Sequence, residues 1–135
     1  MTDADFDEAI ATHLGWCEIF RNAFEGIHGE ALKNLASVDA TTCPLGPWFS
    51  ELAKLGAASP IAARAVVLHQ EFHATTHRIV SLLEQNRLDL AMNLMEEELR
   101  ASSAQLVTTL ELLQQEFSTT EKVGVGETAV IHPIR

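Results

Sequence analysis

At 135 residues and 47% apolar content the chain has room for one domain with one real core, and 6% aromatic residues without tyrosine favour helices packed by aliphatic side chains. A formal charge of −10 argues against nucleic acid and anionic membrane as partners, since both need a basic face. No apolar run approaches the roughly 18 residues that cross a bilayer. The acidic start, Met1-Thr2-Asp3-Ala4-Asp5-Phe6-Asp7-Glu8, lacks the basic-then-apolar form of a signal peptide. With no export signal, Cys17 and Cys43 are expected as reduced thiols in a cytoplasmic protein.

The first predicted helix spans about Phe6 to Glu25, where Phe6, Ile10, His13, Cys17, Phe20, Phe24 and Ile27 alternate by four and three and form one stripe. Gly26 and Gly29 loosen the chain after it, and Glu30 to Ser37 holds another helical turn or two. Thr41-Thr42-Cys43-Pro44 reads as a helix start, with Pro44 in the first turn and Cys43 at or beside the N-cap of a short helix reaching about Leu55. Ser59 caps the next helix and Pro60 opens it. That helix runs to about Gln85 with two apolar stripes, which makes it the most buried of the set. Asn86-Arg87 turns the chain into a last helix from Leu88 to about Phe117, striped by Leu88, Met92, Met95, Leu99, Ser102, Leu106, Leu110, Leu113 and Phe117. Periodicity fails at Gly124 and Gly126. The expectation is an all-α fold, a four-helix bundle with an additional short helix carrying a cysteine, over residues 1–117, and a flexible tail over 118–135.

Metal-binding side chains fall on this frame. His69 and His73 lie four apart in Val66-Val67-Leu68-His69-Gln70-Glu71-Phe72-His73, so both imidazoles leave one helix face and can meet one ion. His13 sits on the first helix stripe. Two thiols compete for the remaining place. Cys17 follows His13 by four and would mirror the His69/His73 pair, whereas Cys43 at a helix start would have its thiolate favoured by free N–H groups. Spacing leaves both open. His77 lies about 12 Å along the axis from His69 at about 1.5 Å per residue, too far to share an ion, and reads as a surface or supporting residue. His28 and His132 read as surface residues. Glu25-x-x-His28 has the di-iron spacing but occurs once, which rules that chemistry out.

Three segments, His13-Leu14-Gly15-Trp16, Cys43-Pro44-Leu45-Gly46-Pro47-Trp48-Phe49 and Leu68-His69-Gln70-Glu71-Phe72-His73, resemble in order the signature segments of the chemoreceptor zinc-binding domain family. The family's ligand cysteine stands in Cys-x-Leu-Gly-x-Trp. The resemblance therefore implies His13, Cys43, His69 and His73 as the ligands of one tetrahedral Zn2+, with Cys17 left as a core thiol. It also implies a helical bundle, a homodimer and a signalling partner. In that family zinc regulates chemoreceptors and diguanylate cyclases, and the ligand cysteine has been linked to hypochlorous acid sensing. Trp16, Trp48 and Phe72 are expected to wall the site, and Leu45-Gly46 to form the close turn that brings Cys43 in. Glu71 and Glu96-Glu97-Glu98 read as solvated.

Four Cys/His ligands leave no open coordination position, and no carboxylate stands as a general base, so the expectation is regulation rather than catalysis. Occupancy should fall below roughly pH 6 as imidazoles protonate. The chain carries no recognisable signalling helix or cyclase domain, so the output is expected from a partner or another domain. Two other readings stand beside this one: a redox sensor acting through Cys43, and a bundle in which zinc is purely structural.

Overall fold

Thr2 starts the first helix by a capping box. Its hydroxyl accepts from the Asp5 N–H at 3.3 Å, while the Asp5 carboxylate accepts from the Thr2 N–H at 2.9 Å. In this computed structural model, which describes residues 2–26, 29–56 and 58–125, the elements are α1 (Asp3–Glu25), α2 (Gly29–Ala36), α3 (Gly46–Leu55), α4 (Pro60–Glu84), α5 (Leu88–Asn93), a π-helical segment (Leu94–Leu99) and α6 (Arg100–Val125). No strand occurs among the described residues, and no helix there is long and apolar enough to cross a membrane. The expected all-α bundle is what forms.

The start of α4 is the predicted one. Ser59 accepts from the Ala62 N–H at 3.2 Å, Pro60 fills the first turn, and the Ser59 hydroxyl donates to Glu116 on α6 at 2.8 Å. At its far end Asn86 takes φ 59°, a left-handed conformation that asparagine tolerates, and turns the chain into α5. α5, the π segment and α6 then continue as one rod, since the junction residues Leu94 and Arg100 both keep right-handed helical angles.

Two hydrophobic clusters show how the rods align. One joins Phe20 and Ala23 of α1, Leu32 of α2, Ile79 and Val80 of α4, and Ala91, Met95 and Leu99 of the last rod. The other joins Phe6 of α1, Phe49 and Leu52 of α3, Ala62, Ala65 and Leu68 of α4, and Leu106, Leu110 and Leu113 of α6. Thus α1 and α4 run parallel, and the α5–α6 rod runs back. The remaining corner is shared: α2 packs on α1 and α4 at one end, and α3 packs on α4 with Trp48 against Phe6 at the other. The fourth column of the bundle is therefore a broken helix, and residues 37–45 form its joint.

Three expectations change. The last helix extends to Val125 instead of ending near Phe117; residues 126–135 of the expected tail, with His132, lie outside the described residues, as do Ile27 and His28. Leu88 and Met92 are exposed and Ala91 is buried in their place, because the wider π turn shifts the stripe of everything before it. Finally, the short helix does not carry Cys43. It begins at Gly46 with Pro47 in its first turn, and Cys43 lies in the preceding turns.

Candidate metal centre

Cys43 is delivered by a turn built on Asp39. One carboxylate oxygen of Asp39 accepts from the backbone N–H of Thr41 at 2.9 Å and of Thr42 at 3.0 Å, and from both threonine hydroxyls. The Thr42 hydroxyl in turn accepts from the Asp39 N–H at 3.0 Å, and the Cys43 N–H donates to the Asp39 carbonyl at 3.1 Å. These bonds hold the Asp39 carboxyl down at about 2, the threonine donors outweighing all else. The turn closes against Gly46, whose α-carbon faces the Thr41 carbonyl too closely for any side chain. This is the close turn expected of Leu45-Gly46. Asp39 carries no metal signal of its own in the sequence, although Asp-x-Thr-Thr before a helix is the composition of a side-chain-capped turn.

The turn brings Cys43 against α4. Cys43 Sγ lies 3.3 Å from His69 Nε2, and one donor atom each from Cys43, His69 and His73 fall within 4.8 Å of one another. All three residues are buried, at 5%, 2% and 5% exposure. Such close, dry packing of two imidazoles and a thiol is costly unless something satisfies their lone pairs. His73 Nδ1 is indeed buried with no hydrogen-bond partner. A cavity of about 20 Å³, bounded by His13, Trp16, Cys43, His69, Phe72 and His73, has room for a single small ion or water. The residues fit a metal: the donors are of the soft and borderline type that zinc prefers, and their rings are fixed. Phe49 stacks on His69 with centroids 3.9 Å apart at 9°, and Trp16 meets the His73 ring edge-on at 5.5 Å.

Electrostatics prepare the histidines for ligation. Burial lowers His69 to about 3, with His73 and His13 adding repulsion, and burial with His73 lowers His13 to about 4. Burial also lowers His73, against the opposing pull of the Val38 carbonyl. Burial raises the Cys43 thiol despite the Leu45 and Gly46 N–H groups that favour its anion, and the Asp39 carboxylate adds to the rise. The expectation that imidazole protonation empties the site below roughly pH 6 therefore moves. Near neutrality the proton that competes with a metal is the one on Cys43.

His13 lines the same cavity but stands outside the three-residue cluster. Its Nε2 is 2.9 Å from Ser103 Oγ on α6 and 3.5 Å from Cys17 Sγ, and its ring packs on Phe72 at 4.7 Å. Cys17 is half-buried and does not join the cluster. Trp16 and Phe72 wall the cavity as expected, whereas Trp48 sits one layer out, edge-on to Phe6 and Phe49. His77, Glu71 and Glu96 to Glu98 are exposed. Ser103 and Phe49 are the contributors that spacing did not flag. A serine on a helix carries no metal signal, and Phe49 reads from sequence as ordinary core. No family model, no curated protein and no solved structure matches the chain.

Proposed function

We propose that the protein is a zinc-binding regulatory domain, in which Cys43, His69, His73 and His13 hold the ion and its occupancy controls a signalling output supplied by a partner or another domain. The single observation that carries this reading is the buried Cys43/His69/His73 cluster with its mutually close donor atoms. The resemblance of the three sequence segments to chemoreceptor zinc-binding domains supports the regulatory half, and with it a homodimer and an output of the chemotaxis or cyclic-di-GMP type. Four protein ligands would leave no open position for substrate, so the role is control and not hydrolysis. A redox role for metal-free Cys43 has less support, because that thiol is buried and its pKa is raised, which slows attack on an oxidant. Zinc would hold it as a thiolate, and zinc release on hypochlorite treatment tests that case.

Zinc affinity measured by competition with a chromophoric chelator tests the reading. A zinc site of about 12 kcal/mol shared over four ligands gives about 3 kcal/mol each, so Cys43→Ser and His69→Ala should each weaken binding by about a hundred-fold or more. Cys17→Ser should leave one zinc bound per chain. Wild-type affinity in Cys43→Ser would overturn the assignment.

A further inference from the structure

His13 stands at the metal cavity but is tied to another helix. It lines the small cavity shared by Cys43, His69 and His73, yet its Nε2 is engaged with the Ser103 hydroxyl at 2.9 Å, and Cys17 Sγ sits 3.5 Å from both that nitrogen and Ser103 Oγ. The three polar atoms form a closed triangle between α1 and α6. Ser103 and Cys17 line the groove between those helices, together with Leu14, Arg21 and Met95. A hydrogen bond from α1 to α6 and a ligand bond toward α4 call on the same ring.

We infer that Ser103, supported by Cys17, is a positioning site that competes with the metal for His13, so that filling the metal cluster draws His13 off α6 and emptying it lets His13 return. This rests on the metal reading above and adds the residue through which α6 senses occupancy. Neither ring nitrogen of His13 belongs to the group of donors within 4.8 Å of one another, so ligation requires the ring to shift toward α4 and away from Ser103. When Nε2 itself takes the ion, its lone pair is also lost to the hydroxyl, which must then find another partner across the groove. A net hydrogen bond is worth about 1 kcal/mol, equivalent to about five-fold in affinity.

Two measurements test it. Zinc affinity of Ser103→Ala should rise about three- to ten-fold over wild type, with Ser103→Thr near wild type because it keeps the hydroxyl. In a His13→Ala background the same change should have no effect. Long-range 1H–15N spectra of the imidazoles should show the His13 Nε2 environment changing when zinc is added to the wild type, and already changed in zinc-free Ser103→Ala. Unchanged or weaker zinc binding in Ser103→Ala, or an effect that persists without His13, would overturn this inference while the metal reading stands. Failure of the wild type to bind zinc would overturn both.

Discussion

A β-carbon at Gly46 would sit 2.3 Å from the Thr41 carbonyl oxygen and 2.9 Å from its carbon, both backbone atoms that no rotamer change can move. The clash falls on the turn that Asp39 organises, three residues from the sulfur. Gly46→Ala should therefore cost about 1–3 kcal/mol of stability in urea unfolding, as overpacking does, and weaken zinc binding as well. Gly15→Ala is the control, since a β-carbon there meets nothing within 4 Å and the residue lies in α1. At this scale much was legible. His69 and His73 were readable because helical spacing alone puts them on one face. Cys43 was not readable from spacing, because its approach depends on hydrogen bonds within an irregular turn. Spacing alone leaves Cys17 a rival that the family resemblance sets aside, and in the structure its sulfur meets His13 and Ser103 and not the cluster.

Among the elements, the last rod departs furthest from its pattern. Reading Leu88 to Phe117 as one continuous α-helix makes Leu88 and Met92 core residues, yet they are 45% and 46% exposed and Ala91 is fully buried. One wide turn over Leu94–Leu99 accounts for this, and periodicity cannot reveal it because both phases offer apolar residues. Substitutions distinguish the phases. Met92→Ala should change stability by less than about 0.5 kcal/mol, as exposed positions do. Ala91→Leu should destabilise by about 1–3 kcal/mol through overpacking, read from chemical denaturation midpoints. The caps of α1 and α4, by contrast, follow directly from Thr2-x-x-Asp5 and Ser59-Pro60.

For the molecule as a whole, the buried imidazoles set an acid limit on the metal-free fold. His13 and His69 fall from 6.5 to about 4 and about 3, so below pH 6.5 the unfolded chain takes up protons that the folded chain refuses. Folding stability should drop as pH falls from 6.5 toward 4, by up to about 1.4 kcal/mol per pH unit for each histidine. Thermal melts of chelator-treated protein across that window give the slope, and His69→Phe should flatten it. The bundle itself was legible as a whole, because helix lengths and short connections leave few alternatives. That α2 and α3 divide one column between them was not, since α2 is only eight residues long and spacing says nothing of which column a short helix joins.

That division gives the cluster a mechanical meaning. α4 is a single unbroken rod that contributes two donors, and the third comes from the gap where its neighbouring column is interrupted. An ion held there would act as a splint across a fracture, lashing the break between α2 and α3 to an intact beam. Its departure would leave each half of the column packed on its own end of the core, while the joint between them lost the tie to α4 that runs through sulfur.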